Sequence, residues 1–229
     1  MNIRYYGHSA ISFHTDEHTV VVDPFLTDNP LYGKVPPELK PSTIVCTHGH
    51  EDHVGNAVEL SKHHQAPIVA CFELANQLEK LGGTVIPCGL GGRVQHAWGW
   101  SKLVPAFHSS SYGGQYMGMP AGVILNFGEH VVYHAGDTCV FSDMKLIAEL
   151  YKPTIAVLPM GGHFTMDIYE AVKAVEFIRP EVVIPVHYGT WPPLSESPQE
   201  FKKQVEEKKL ARVEVMAVDQ ILDLKKLLH

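Results

Sequence analysis

The chain has 229 residues, 45% hydrophobic and 19% charged, with a formal charge of −7, an ordinary globular composition that excludes a disordered tract. The acidic balance argues against a nucleic-acid or anionic-membrane partner, and no apolar run reaches the roughly 18 residues of a membrane span. Histidine is the outlier, with 15 copies, more than packing needs.

The opening "MNIRYYGHSAISF" lacks the basic and apolar regions of a secretory signal. "AISFH" and "TVVVDPF" are β-branched runs separated by the polar "TDEH", a hairpin pattern. "STIVCT" (42–47) is too short and apolar for a helix and reads as a buried strand. "VGNAVELSKHH" has helical spacing with Val54, Val58 and Leu60 inward, "APIVAC" reads as a strand, "FELANQLEKL" as a helix stopped by Gly82 and Gly83, and "TVIPC" as another strand. From Gly91 to His134 the chain is strand-rich, with "KLVPAFHSS" and then "GVILNFGEHVVYHAGDT" folded at Gly128-Glu129. The last third alternates helix "SDMKLIAELY", strand "TIAVLPM", helix "DIYEAVKAVEFI", strand "EVVIPVH" and helix "SPQEFKKQVEEK". No linker divides the chain, so residues 1–229 are expected to form a single domain, two sheets face to face with helices outside.

The strands "IVCT", "VPA", "VVYH" and "VVIPV" are each followed at the carboxyl end by a potential metal ligand. The carboxyl edge of an α/β sheet is where ligands bind.

After the first of these strands comes "CTHGHEDHVG", in which His48, His50, Asp52 and His53 form H-x-H-x-D-H. Imidazole nitrogen and carboxylate oxygen suit Zn²⁺, and also Mn²⁺, Fe²⁺ and Ni²⁺. Two histidines two apart in an extended loop point the same way and can grip one ion, whereas adjacent Asp52 and His53 leave the chain in different directions and can grip a second. With His108, Asp137 and His187 the set suggests two divalent cations: His48, His50 and His108 on one, Asp52, His53 and His187 on the other, and Asp137 bridging. Gly49, Gly55 and Gly136 would let the backbone turn tightly around them. Such a pair of ions, about 3.5–4 Å apart, holds a bridging water as hydroxide near neutral pH. The hydroxide attacks a carbonyl or phosphoryl centre, and Asp52 beside it is placed to orient it and shuttle a proton.

These motifs, "THGHEDHVG", "AFHSSS", "YHAGDT" and "IPVHYGT", resemble those of the metallo-β-lactamase superfamily, in order and over nearly the whole chain. "GHSAISF", "DPFLTDNP", "SDMKLIAEL" and "FTMDIYEAV" resemble further a group of small, single-domain metal-dependent hydrolases akin to the L-ascorbate-6-phosphate lactonase. The resemblance implies an α/β (α+β) fold, a four-layer αββα sandwich, and the same division of ligands between two ions. One departure stands out: relatives carry Gly-Asp-Asn before "FTM", where this chain has Gly161-Gly162-His163.

Candidate donors of the leaving-group proton are His163, Tyr188 and His8, chosen by nearness to the motifs. His8 reads either as a turn histidine or as a group holding a ligand carboxylate. Asp23 reads as a pre-proline turn residue or an acceptor from a ligand imidazole, and Thr138 as the cap of the following helix. Ser109, Tyr112, His163 and Tyr188 are candidate substrate contacts, with Ser110, Ser111 and Thr190 in the same loops. Cys139 is expected to be a small buried residue. Cys46, Cys71, Cys88 and Cys139 form no CxxC pair and suit a reducing compartment, so a cytoplasmic location is expected.

The function expected is hydrolysis of a small ester or lactone, sugar-phosphate lactones included, with phosphodiester hydrolysis as the alternative. A di-iron redox centre of this superfamily would carry Glu in place of His50, and a penicillin-type lactamase would act outside the cytosol. A metal-binding protein without turnover would keep the same ligands. Two divalent ions, zinc first, and a small-molecule substrate complete the expectation, with no nucleic acid or membrane partner; apolar helix faces permit a homo-oligomer.

Overall fold

The computed structural model describes residues 1–226, and strands and helices are numbered in chain order throughout. The chain divides into two compact units. The first comprises Met1–Gly92, Ser109–Pro120 and the segment from Ala217. Its sheet contains β1 (Asn2–Tyr5), β2 (Ile11–His14), β3 (Thr19–Val22), β4 (Thr43–Val45), β5 (Ile68–Cys71), β6 (Val85–Cys88) and, from the chain's end, β16 (Ile221–Asp223), in the order β16-β1-β2-β3-β4-β5-β6. The second unit, Arg93–His108 and Ala121–Met216, contains β7 (Arg93–His96), β8 (Gly99–Pro105), β11 (Ala121–Asn126), β12 (Val131–His134), β13 (Ile155–Pro159), β14 (Val182–Val186) and β15 (Arg212–Val213), ordered β15-β14-β13-β12-β11-β8-β7. A two-stranded ribbon, β9 (Ser111–Tyr112) with β10 (Gln115–Tyr116), belongs to the first unit.

Strand polarity explains where the chemistry gathers. In the first sheet β1/β2 and β2/β3 are antiparallel while β3/β4 and β4/β5 are parallel. So β1, β3, β4 and β5 run the same way, and the loops leaving them carry His8, Asp23 and the segment 48–53 to one sheet edge. In the second, β8/β11 and β11/β12 are antiparallel while β12/β13 and β13/β14 are parallel. Hence β8, β12, β13 and β14 deliver His108, Asp137, the segment 160–163 and His187 to one edge of that sheet. The two sheets repeat the same sequence of polarities.

Helices cover the sheets by ordinary amphipathic logic. In the first unit α2 (Ala57–His64) and α3 (Phe72–Lys80) bury Ala57, Leu60, Leu74 and Leu78. In the second, α4 (Met144–Tyr151), α5 (Ile168–Ile178) and α6 (Pro198–Glu207) contribute Met144, Ile147, Ala171, Val175 and Phe201 to a core with Ile124, Ala156, Leu158 and Val183. Two of these helices start on side-chain caps: Asp167 accepts from Glu170 N at 2.8 Å and Ser197 from Glu200 N at 3.3 Å.

The structure departs from the sequence expectation at three places. The single helix expected from Val54 is two, α1 (Glu51–Val54) and α2, because a Cβ at Gly55 would lie 2.4 Å from Pro24 O; the close approach of the β3 loop breaks the helix there, and Val58 is only half-buried. Thr138 does not cap α4, whose N-cap position is Asp143; its Oγ1 accepts from Phe107 N at 3.0 Å and donates to Cys139 O. Cys139 is exposed, not buried, because the turn that bonds its backbone N to Phe107 O lies at the surface.

Candidate functional site

The ligand loop of the first unit hangs from Asp23. This carboxylate is completely buried and accepts from Thr47 N (2.8 Å), Thr47 Oγ1 (2.7 Å) and His53 Nδ1 (2.7 Å). A buried charge is tolerated only when its lone pairs are met in this way. The bond from Nδ1 fixes the neutral His53 tautomer with its lone pair on Nε2, and that nitrogen lies 3.8 Å from Asp52 Oδ2.

Thr47 relays the same order to His48. Its hydroxyl hydrogen is committed to Asp23, so the 3.0 Å contact with His48 Nδ1 has the ring donating. The His48 lone pair is thereby on Nε2, which faces His50 Nδ1 at 2.9 Å. His50 Nε2 in turn lies 3.3 Å from Ser109 Oγ. Two nitrogens bound at tetrahedral Zn²⁺ distances would stand about 3.3 Å apart, within a few tenths of the observed spacing.

His8 Nε2 donates to Asp52 Oδ2 at 3.0 Å, with the His8 ring fully buried and edge-on to His53 at 5.6 Å between centroids. Thus one ligand atom each from His8, Asp52 and His53 lies within 4.8 Å of the others. Ser110 Oγ accepts from Gly49 N at 3.0 Å and pins the loop from behind. His8 (φ 54°) and Asp23 (φ 48°) both adopt left-handed backbone, a cost that side chains other than glycine bear where the surroundings enforce it.

The second unit offers its own set. Asp137 is buried, and its Oδ2 stands 3.0 Å from His187 Nε2 and 3.6 Å from His108 Nε2. One carboxylate oxygen of Asp137 is thus flanked by two imidazole nitrogens. The turn that carries Asp137 is set by His134, whose Nδ1 accepts from Gly136 N at 3.1 Å. His187 is also left-handed (φ 61°), and a Cβ at Gly161 would sit 1.9 Å from its carbonyl oxygen; only glycine allows the β13 loop to pass there.

The remaining candidates are placed as follows. Ser109 is exposed and Tyr112 half-buried in β9. His163 (φ 56°) is exposed and packs edge-on to Phe164 at 4.5 Å between centroids, not onto a ligand residue. Tyr188 is half-buried against the apolar core of its unit, and burial pushes its phenol up to about 12. Thr47 and His134 were not singled out in the sequence, and Ser110 was named there only among the residues of the candidate substrate loops; what distinguishes Thr47 and Ser110 is burial against distant partners, which only the assembled loops create.

These donor sets are nitrogen and carboxylate oxygen, with buried acceptors holding the His48 and His53 rings, and they fit divalent cations. A beta-lactamase superfamily domain profile matches residues 2–187. The chain belongs to the metallo-β-lactamase superfamily. It is 44% identical over 209 residues to a UPF0173 metal-dependent hydrolase of Thermus thermophilus, covering 91% of this chain and 92% of the relative. A UPF0173 metal-dependent hydrolase of Methanopyrus kandleri is 45% identical over 212 residues, with 90% and 92% covered. Among solved structures, the metallo hydrolase Igni18 from Ignicoccus hospitalis superposes with a TM-score of 0.90 at 39% identity, covering 96% of this chain and 97% of that one. The chain is therefore a member of the UPF0173 metal-dependent hydrolase family, and its fold is the metallo-β-lactamase fold that the motifs implied.

Proposed function

We propose that this UPF0173 protein, acting as one domain in the cytoplasm, is a binuclear metal-dependent hydrolase that cleaves a small ester or lactone. The observation that carries the reading is the chain of buried hydrogen bonds from Asp23 through Thr47 to His48, and from Asp23 to His53. It sets both imidazoles in the tautomer that a cation needs, and a histidine serving only packing requires no such control.

In this reading His48, His50 and His108 would hold one cation, Asp52, His53 and His187 would hold a second, and Asp137 would be shared between them. Divalent cations, zinc first, supply Lewis acidity and water deprotonated near neutral pH. The chain's own residues do the rest. Asp52, held by His8, orients the attacking water and receives its proton. As the water oxygen bonds to the carbonyl carbon, the ester C–O bond breaks, and the departing alkoxide takes up a proton. His163 and Tyr188 remain the candidates to supply that proton, Tyr188 as a phenol that burial keeps protonated at neutral pH. Ser109 and Tyr112 are proposed to contact substrate.

The test is metal content by mass spectrometry on protein purified without chelator, with a hydrolysis screen of γ-lactones, p-nitrophenyl esters and bis(p-nitrophenyl) phosphate. The reading expects about two divalent ions per chain and ester or lactone turnover that Asp137→Ala abolishes. Less than one ion per chain after reconstitution, or turnover indifferent to Asp137, defeats it; preference for the phosphodiester replaces the substrate class.

A further inference from the structure

In the second unit, the hydrogen bonds that fix the ligand loops also hold an aromatic ring out into solvent. Phe107 immediately precedes His108 and is 58% exposed. Its backbone N donates to Thr138 Oγ1 at 3.0 Å and its carbonyl accepts from Cys139 N at 3.3 Å, so it is tied to the loop that carries Asp137. Its ring meets Phe141 edge-on, 5.1 Å between centroids at 63°, and Phe141 is itself packed against the core of the unit. The ring thus rests against Phe141 and is yet largely uncovered. Leaving much of a phenylalanine side chain in water forgoes favourable burial. Phe164 (56% exposed) and Trp191 (37% exposed) stand in the loops that follow β13 and β14, at the same sheet edge.

The charges around this wall are one-sided. The four loops leaving the carboxyl ends of β8, β12, β13 and β14 span residues 106–110, 135–143, 160–167 and 187–197. They contain Asp137, Asp143, Asp167 and Glu196 and no lysine or arginine. Recognition of a phosphoryl group held away from any metal relies on arginine or lysine, or on backbone amides at a helix start. At the start of α5 the amide of Glu170 is already given to Asp167.

We propose that Phe107, backed by Phe141, is a specificity-determining wall that receives an uncharged apolar group of the substrate, so that the substrates are neutral aryl or alkyl esters and lactones and not phosphorylated ones. This deepens, and rests on, the ester or lactone reading above. An aromatic ring against an aromatic substituent adds edge or offset stacking to area burial, and one apolar group in such a place is worth about 10-fold or more in selectivity.

The test has two arms. In the first, the metal-loaded enzyme is assayed on p-nitrophenyl acetate, p-nitrophenyl phenylacetate and p-nitrophenyl phosphate, as wild type, Phe107→Ala and Phe107→Leu. The ratio of kcat/KM for phenylacetate over acetate should fall about tenfold or more in Phe107→Ala, mainly through KM, and recover in part in Phe107→Leu. In the second, metal-free protein is titrated with N-benzylacetamide, an uncharged amide that is not cleaved, and with phenylphosphonate, by saturation-transfer NMR. N-Benzylacetamide should bind, and weaken about fivefold or more in Phe107→Ala, while phenylphosphonate fails to displace it.

A selectivity ratio and an N-benzylacetamide affinity that both ignore Phe107, or tighter binding of phenylphosphonate, overturns the proposal. A shift in sedimentation of Phe107→Ala without a change in ligand binding also overturns it, and makes the ring a self-association contact. If no ester is turned over while N-benzylacetamide binding still depends on Phe107, the hydrolysis reading fails and the apolar wall stands. Melting curves of both variants confirm folding, which an exposed ring should leave intact.

Discussion

Asp23 and His53 share a 2.7 Å hydrogen bond in which neither side chain touches solvent. A carboxylate placed there without partners would be costly, and it is the acceptor for three donors at once. The pair therefore couples ligand geometry to the stability of the first unit.

Asp23→Asn keeps the shape but offers one acceptor oxygen in place of two, and an amide group that opposes either Thr47 or His53. Apparent metal affinity should fall about 10–100-fold, the range seen when a ligand's hydrogen-bond partner is removed. Competition titration against a chromophoric chelator measures it directly, without any assay of turnover. An affinity unchanged within twofold would separate Asp23 from metal binding.

Gly161→Ala puts a methyl group where the His187 carbonyl passes, 1.9 Å from its oxygen. Either the β13 loop or His187 must move. Activity should drop about 100-fold, as a misplacement on the order of 1 Å commonly costs, and melting temperature should fall as well. Wild-type activity in this variant would show that the His187 position is not needed.

Tyr133 is buried in the core of the second unit, and among the described residues its hydroxyl has no hydrogen-bond partner. Burial pushes its phenol pKa upward. Removing the oxygen deletes a polar group that folding leaves unmet, so Tyr133→Phe should stabilise the protein by about 1 kcal/mol. Urea denaturation at fixed metal content gives the number, and a destabilisation of similar size would mean that the hydroxyl is satisfied after all.

His96 stacks on Trp98 at 4.5 Å with an 8° interplanar angle, and its Nε2 lies 2.8 Å from Ser101 Oγ. Burial lowers its pKa from 6.5 to about 4. The unfolded chain then binds a proton at a pH where the folded one does not, so stability drops as pH falls from about 6.5 to about 4 and is level outside that window. With the ring about half exposed, solvent screening reduces the contribution to about 1–2 kcal/mol. His96→Phe keeps the stack and should flatten the profile across that window by this amount, read as the difference between the two metal-free proteins.

Chelation tests the link between ligands and fold. The ligand loops meet buried carboxylates at Asp23 and Asp137, and cations bound only by the folded state add to its stability. Treatment with EDTA should lower the melting temperature of the wild type by several degrees, and much less that of Asp137→Ala. Equal shifts in the two proteins would place the stabilising metal elsewhere.

The long strands and most helices were legible because their cues are local. "TVVV", "IVAC" and "VVIPV" are β-branched runs, and the hairpin between β2 and β3 has the register its polar turn suggests, Ile11 opposite Val22. The short strands β7, β9, β10, β15 and β16 were not legible, since segments such as Gln115–Tyr116 or Arg212–Val213 are too brief and polar to carry a pattern. The break at Gly55 depends on Pro24, some thirty residues away, so no window around the helix reveals it. The H-x-H-x-D-H pattern is legible as a run of metal-binding residue types, whereas Thr47 and Ser110 act through bonds formed only after distant loops meet. Phe107 was hidden for the opposite reason: one phenylalanine next to a histidine carries no signal until its exposure is known.

The left-handed backbone at His8, Asp23 and His187 sets what kind of drift this lineage can tolerate. At these three positions the backbone favours glycine or asparagine and the chemistry favours the residue present. A library selected only for expression and heat resistance should therefore accumulate asparagine at positions 8 and 187, while Asp23, whose carboxylate meets three buried donors, should be retained. Sequencing such a library before and after selection would make the trade visible, as enrichment at those codons in the pools that lost their metal.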